Sequence, residues 1–243
     1  MQDPRFMSSS QAQAVGIDAG LRSYMLGVYN HMTIGMAITG FFAYLTKIKS
    51  ISSEGMLSPL GVVLYTSPLK WVVMLAPLGM VFWLSSKVNT MKPETARNVF
   101  YTFAAIMGIS LSSLLLVFTG ESVIRVFFLT AASFSALSIY GYTTKKNLTG
   151  LGSFLLMGLV GLILASIVNI FVASSAMQFI ISVVGVLIFA GLTAYDTQQI
   201  KLMYMASDDR GTTLKKSIMG ALRLYLDFIN MFIMLLQLLG NRN

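Results

Sequence analysis

A long apolar segment of this chain ends in the sequence Gly191-Leu192-Thr193-Ala194-Tyr195-Asp196-Thr197-Gln198-Gln199-Ile200-Lys201. It places a carboxylate, Asp196, within the last turns of an apolar run. A second carboxylate, Asp227, lies in the next apolar run, within Leu224-Tyr225-Leu226-Asp227-Phe228-Ile229-Asn230. An acid inside an apolar run is costly unless the fold compensates its charge, so these two positions indicate the functional site.

The composition is that of an integral membrane protein. Of the 243 residues, 56% are hydrophobic and only 11% are charged, whereas a soluble domain has about a quarter charged residues. The mean hydropathy is +0.75. Backbone groups in lipid must bond within helices or closed barrels, and the apolar runs are too continuous for alternating barrel strands. The sequence therefore predicts an all-α fold in a lipid bilayer.

Residue usage excludes several kinds of chemistry. The chain has no cysteine and a single histidine, His31, so thiolate chemistry and multi-histidine metal centres are excluded. We interpret His31 as an interfacial polar group of the first span. The net charge of +8 is typical of basic loops that orient membrane helices, so we expect no nucleic-acid partner. We also expect no enzymatic activity and no resident cofactor.

Seven apolar segments predict a single seven-helix transmembrane domain over residues 24–243, after a polar cytoplasmic tail over residues 1–23. The second span contains Pro77, and Pro93 is expected in the first turn of the third helix. Six full spans plus a re-entrant last segment is the alternative. The predicted spans are 24–45, 69–84, 98–119, 123–142, 151–172, 177–199 and 219–239.

The distribution of lysine and arginine predicts the orientation. With seven spans and the N-terminus inside, twelve of these residues lie on the inner side and five on the outer side. Cytoplasmic loops are enriched in lysine and arginine, so we expect a cytoplasmic N-terminus and an external C-terminus. The short loops and the lack of a targeting segment favour a bacterial inner (cytoplasmic) membrane.

Asp196 and Asp227 are predicted to lie at matched depth on neighbouring antiparallel helices. Asp196 precedes Lys201 by five residues, which is roughly 7–8 Å along a helix. Asp227 follows Arg223 by four residues, which is roughly 6 Å from the same face. The two acids are therefore expected to face each other.

Polar stripes on both helices support this pairing. Thr193 and Gln199 share the face of Asp196, while Asn230 and Gln237 share the face of Asp227. Two adjacent acids are most stable when they share one proton, which makes the pair sensitive to pH and attractive to cations. The alternative is that each acid is satisfied separately, Asp227 by Arg223 and Asp196 by Lys201.

The same residues carry a family resemblance. The segments 195–201 and 224–230 resemble the two signature segments of the Bax inhibitor-1 (TMBIM, YccA-like) membrane proteins, and Tyr101-Thr102-Phe103-Ala104 matches the third span. The resemblance covers the whole chain. It implies a seven-helix bundle with the last helix central, and a pH-dependent calcium leak gated by an aspartate pair, here Asp196 and Asp227.

One departure from the family pattern concerns a basic latch for the pair. Some bacterial relatives have an arginine directly after the second span, whereas Phe82-Trp83-Leu84 is followed here by two serines. Lys87 and Arg97 are the candidate residues for this latch, although neither occupies the matching position.

The first hypothesis is a pH-sensitive calcium leak channel in which both acids, with Asn230 and Gln199, bind the transported ion transiently. The alternative is a regulator, without transport, of a membrane-bound protease or of a stress or cell-death pathway, as the resemblance implies for some members. An intramembrane aspartyl protease is a weaker possibility, because Asp227 lacks the Gly-x-Gly-Asp setting and no proline follows Pro93.

Overall fold

The structure is a computed structural model that describes the backbone of residues 9–52 and 55–243, and side chains from residue 19 onward. Within these residues β pairing is limited to two isolated bridges, so the all-α prediction is confirmed. The helices are α1 (Ser9–Ser50), α2 (Pro59–Tyr65), α3 (Leu69–Lys87), α4 (Pro93–Leu111), α5 (Leu114–Val117), α6 (Gly120–Thr143), α7 (Thr149–Val172), α8 (Ser175–Leu202) and α9 (Arg210–Leu239).

Six stretches of the described residues are long and apolar enough to cross a membrane: α3, α4 together with α5, α6, α7, α8 and α9. The last of them, α9, is one continuous helix of 30 residues, so the structure does not have a re-entrant last segment. The first helix is the exception. Although α1 has 42 residues, polar residues such as Asn30 and His31 interrupt its apolar stretches, and it is not among the six.

Several helices begin earlier than hydropathy predicts, because capping residues start a helix before its apolar part. Residues 120–122, expected as a link, form the first turn of α6, which Thr119 caps by accepting a bond from the Ser122 amide. Likewise Asp209 caps α9, so Lys215 and Lys216 lie in that helix rather than in a loop. Of the expected tail, residues 1–8 lie outside the described residues and 9–23 begin α1.

The last long helix, α9, lies at the centre of the described bundle, where it contacts α1, α4, α6 and α8. Tyr225 of α9 is fully buried, and its hydroxyl lies 2.6 Å from the Thr39 hydroxyl of α1. Its ring packs edge-on against Phe100 and Phe103 of α4, with ring centroids 5.9 and 5.5 Å apart. Aromatic packing and a satisfied hydroxyl therefore fix α9 between α1 and α4.

Two glycines allow neighbouring helices to approach closely. A Cβ atom on Gly141 of α6 would overlap the Ala194 carbonyl oxygen of α8, and one on Gly108 of α4 would lie 2.5 Å from the Thr39 carbonyl oxygen. Small residues at such positions let backbones pack tightly in lipid, where no hydrophobic force drives helices together. The contact between α6 and α8 is therefore fixed two residues from Asp196.

The bundle has two chemically different ends. At the basic end, where α1, α4, α7 and α9 begin, lysine side chains hold the loops together. Lys201 donates to the Tyr142 carbonyl at 2.8 Å, Lys215 to that of Asn89 at 3.0 Å, and Lys216 to that of Met203 at 3.0 Å. At the opposite end the C-terminal residues pair with 117–119, where the Thr119 amide donates to the Asn241 carbonyl at 2.9 Å.

Candidate functional site

The site is the contact between α8 and α9 near the basic end. The two helices are antiparallel and joined by residues 203–209. They approach closely at Gly220, where a Cβ atom would lie 2.9 Å from the Ile200 side chain. This approach brings Asp196 and Asp227 together, and their carboxyl groups interact directly.

The two acids differ in their surroundings. The side chain of Asp227 is buried, with 5% of its surface exposed, whereas Asp196 is partly exposed. Among the described groups, Asp227 Oδ2 is a buried oxygen with no hydrogen-bond donor. A buried acceptor without a donor is costly. A proton held between the two carboxyl groups supplies the missing donor and removes their repulsion.

Arg223 is the cation whose charge acts on both aspartates. It lies one turn before Asp227 on α9 and is exposed. Lys201, the other residue expected to compensate an acid, is used elsewhere, because its ammonium donates to the Tyr142 carbonyl and lies 5.1 Å from the centre of that ring. Among the side chains that the structure describes, the pair therefore has one nearby cation, on the same helix as Asp227.

The two residues proposed as a latch occupy other positions. Lys87 is exposed in the last turn of α3. Arg97 lies on α4, where its charge acts on His31 and Tyr101, and His31 Nδ1 is 2.8 Å from the Tyr101 hydroxyl. His31 is thus partly buried and bonded to α4. The cation whose charge reaches the aspartates is instead Arg223, which the sequence suggests as a partner of Asp227.

A cavity of about 520 Å³ opens beside the aspartates; we call it the acid cavity. Its polar lining consists of Asp196, Arg223, Asp227, Asn230 and Ser166, and the rest is apolar side chains from α3, α7, α8 and α9. Asn230 donates its amide to the Leu226 carbonyl at 2.8 Å, which orients its side chain. No group of three or more His, Cys, Asp or Glu occurs among the described residues. A cation here would therefore need amide, carbonyl or water oxygens beside the two carboxylates.

The polar stripe of α9 is interrupted beyond Asn230. Met234 packs against Gly185 of α8, where a Cβ atom would lie 2.9 Å from the methionine Cγ. Beyond it, Gln237 bonds to Gln178 and Ser182 at 2.5 and 3.0 Å. Gln237 thus belongs to an amide cluster towards the opposite end, separated from the aspartates by Met234.

The remaining supporting residues face other partners. Thr193 is buried and donates to the Phe189 carbonyl at 2.8 Å. Gln199 is partly buried, and its backbone carbonyl accepts a hydrogen bond from the Met203 backbone amide. Sequence reasoning missed a chain of hydroxyls that joins α1, α6 and α8, in which Ser138 lies 2.7 Å from the Tyr29 hydroxyl and 2.9 Å from that of Thr197. Isolated serines and threonines in apolar runs give no sign of their partners.

The fold and the site together define a class: a polytopic all-α membrane protein with a carboxylate pair, one acid of which is buried, between its central helix and α8. Comparison with known proteins then identifies the family. A family model described as "Inhibitor of apoptosis-promoting Bax1" matches residues 21–243. The chain therefore belongs to the Bax inhibitor-1 family.

Several bacterial proteins are similar to this chain over most of its length. An uncharacterized protein of Caulobacter vibrioides is 46% identical over 228 residues, covering 93% of this chain and 91% of that protein. A Rickettsia prowazekii protein is 44% identical, covering 93% and 92%. The inner membrane protein YbhL of Escherichia coli K12 is 40% identical, covering 92% and 94%. These findings and the apolar helices support an integral inner membrane protein.

Proposed function

We propose that this protein is a pH-sensitive calcium leak channel gated by the Asp196–Asp227 pair. The observation that carries the proposal is the pairing of two carboxyl groups, one of them buried with an unpartnered oxygen, at the wall of a cavity between α3, α7, α8 and α9 whose rim is exposed. A structural acid pair needs no cavity, and a simple cavity needs no paired acids. Their combination favours controlled passage of a cation.

The mechanism follows from the proton held by the pair. While it is present, one neutral carboxyl donates to its partner and keeps α8 and α9 together. Its loss leaves two like charges in contact, and their repulsion separates the helices and opens the acid cavity to a cation. The two carboxylates and Asn230 then supply part of the six to eight oxygens that calcium takes, and water supplies the rest. Flux should therefore rise as the pH rises.

The proposal includes a topology of seven spans. It adds α1, because α1 packs along α4 and α9, which both qualify as spans. The basic end then faces the cytoplasm, as the lysine and arginine bias favours, and the C-terminus lies outside. Because the chain has no cysteine, single cysteines at Ser207 and Asn241 test this arrangement. In intact cells an impermeant maleimide should label position 241 and spare position 207, and the reverse pattern would exclude this orientation.

Calcium entry into liposomes that contain the pure protein tests the gating, measured from about pH 5 to 8. The parent should show a flux that rises with pH. Asp196→Asn and Asp227→Asn, which keep the side-chain shape but remove one charge, should flatten that dependence. Glu121→Gln is the matched control, because it removes an acid from an exposed ion pair with Arg125 at the opposite end.

Two results would contradict this proposal. One is a flux whose pH dependence survives both asparagine substitutions. The other is the absence of flux at any pH from folded parent protein. The second result would favour the non-transporting role, regulation of a membrane-bound protease or another membrane partner, and co-purification of that partner would then be the measurement to make.

A further inference from the structure

A groove runs between α1 and α6 along the side of the bundle away from α7. Both helices pack against α9, yet two cavities of about 650 and 350 Å³ separate them. Met36 and Phe127 line both cavities, so the two adjoin each other, and we call them together the α1–α6 groove. Its floor consists of α9 residues such as Phe228 and Phe232. The groove is separate from the acid cavity.

The lining of the groove suits an apolar occupant. Most lining side chains are aliphatic or aromatic, and the buried polar ones already have partners. Thr39 donates to the Ala104 carbonyl at 2.8 Å, and Ser138 is bonded to Tyr29 and Thr197. A polar ligand would therefore find few free hydrogen-bonding groups inside the groove, whereas a hydrocarbon chain has no polar group that needs a partner there.

The charges at the two mouths of the groove are both positive. Arg22 lines it at the basic end and Lys47 at the opposite end, and no acidic residue is among its lining residues in the described part of the chain. The two cations are 25 positions apart on one helix, which corresponds to about 38 Å. A bilayer with its headgroup regions is about 40–45 Å thick. With α1 spanning the membrane, as in the topology proposed above, each cation lies at the level of the headgroups of one leaflet.

We propose that the α1–α6 groove holds the acyl chains of anionic phospholipids, one lipid from each leaflet, with their phosphates at Arg22 and Lys47. Tyr142 and Tyr44 line the groove near these cations, as aromatic residues do at membrane interfaces. Lipid is favoured over a partner helix because helix pairing in membranes relies on small residues along both faces. The large side chains of Met36 and Phe127 line both cavities and interrupt small lining residues such as Gly40, Ala43, Ala131 and Ser135.

One position allows the groove to be filled without disturbing the protein. Gly40 lines the second cavity, and a Cβ atom added there meets no atom within 4 Å. Gly40→Leu should therefore occupy the space of an acyl chain while leaving the helix contacts intact. Arg22→Gln and Lys47→Gln remove the headgroup partners instead. Arg125→Gln is the matched control, because it removes an exposed cation at the opposite end that does not line the groove.

The test is native mass spectrometry of the full chain released from vesicles of equal phosphatidylglycerol and phosphatidylcholine. The parent should retain up to two phosphatidylglycerol molecules in preference to phosphatidylcholine. Arg22→Gln and Lys47→Gln should each lower retention of one of them about fivefold, the typical contribution of one basic residue near an anionic surface. Gly40→Leu should lose the lipid next to Lys47, and Arg125→Gln should match the parent.

The opposite results overturn the proposal. Equal retention of both lipids, or retention unchanged in Gly40→Leu and in both glutamine variants, would show that the groove does not select anionic lipid. A dimer whose formation Gly40→Leu abolishes would assign the groove to a second copy of the chain. Arg22 is exposed and Lys47 is partly buried in the last turn of α1, so neither glutamine variant alters the core, and the test stands even if the leucine variant does not fold. None of these outcomes depends on calcium flux.

Discussion

The acid cavity and the α1–α6 groove lie on different sides of the same central helix, and the helices around them differ in how closely they pack. At the acid cavity the helices pack closely, because Asp196 and Asp227 need each other and Arg223 to remain inside the bundle. At the groove the helices stay apart, because its lining is apolar and needs no protein partner. In lipid, polar groups draw helices together, whereas apolar surface by itself does not.

The largest expected effect is a difference in stability between alanine substitutions at two glycines, one on each side of the molecule. Gly141→Ala forces a Cβ atom onto the Ala194 carbonyl at the packed contact of α6 and α8, and should destabilise the protein by about 1–3 kcal/mol. Gly40→Ala points into the open groove, and should be neutral or stabilising by about 0.5–1 kcal/mol, because alanine favours a helix. Thermal unfolding in detergent measures both.

If both alanine variants changed stability alike, the distinction between a closed and an open side of the bundle would be wrong. Gly161→Ala serves as a further control, because its Cβ atom also meets nothing within 4 Å but lies on a different helix, α7.

A smaller effect is expected from the substitution of Arg223, which lies at the acid cavity. Its positive charge favours the ionised pair, so Arg223→Gln should move the pH of half-maximal calcium flux upward. The shift should stay below about one pH unit, since the guanidinium is exposed and screened by solvent. Arg223→Lys should restore most of the parent profile.

Lys201→Gln is the matched control for Arg223, because Lys201 is bonded to the Tyr142 carbonyl rather than to the pair. A profile that moved with Lys201→Gln and not with Arg223→Gln would mean that the wrong cation has been assigned to the aspartates.

The smallest effect concerns Asp209, the cap of α9 outside both cavities. The Thr212 backbone amide, followed by the Thr212 hydroxyl, holds the pKa of Asp209 below its usual value. A lowered pKa adds stability that is present above the unfolded value of about 3.9 and is lost as the pH falls through the folded value. Asp209→Ala should therefore lower the melting temperature slightly at pH 7, and the difference should shrink in acid as Asp209 becomes protonated and keeps only a neutral capping oxygen.

Asp209→Asn keeps the capping acceptor and should lose only the contribution of the charge. A difference between parent and Asp209→Ala that persisted unchanged into acid would show that the cap does not depend on ionisation of this side chain.

Sequence patterns were sufficient for what depends on distance along one helix. The continuous apolar runs predict the six helices that are long and apolar enough to span a membrane, since lipid allows few other backbone conformations, whereas the first predicted span, 24–45, is not among them. The positions of Asp196 and Asp227 relative to Lys201 and Arg223 predict matched depth, because the rise per residue is fixed. Pro93 also predicts the first turn of α4, where the structure has it. Each of these inferences uses only neighbours along the chain.

Contacts between helices are a different matter, because they depend on how each helix is rotated about its axis. Sequence spacing placed Gln237 on the same face as Asp227, but the tertiary structure pairs it with Gln178 beyond Met234. In the tertiary structure Lys201 also donates to the Tyr142 carbonyl, so the charge near the aspartates is that of Arg223. The gap between α1 and α6 has no signature in either helix, since an apolar face looks alike whether it meets protein or lipid. Only the assembled bundle decides which of the two it meets.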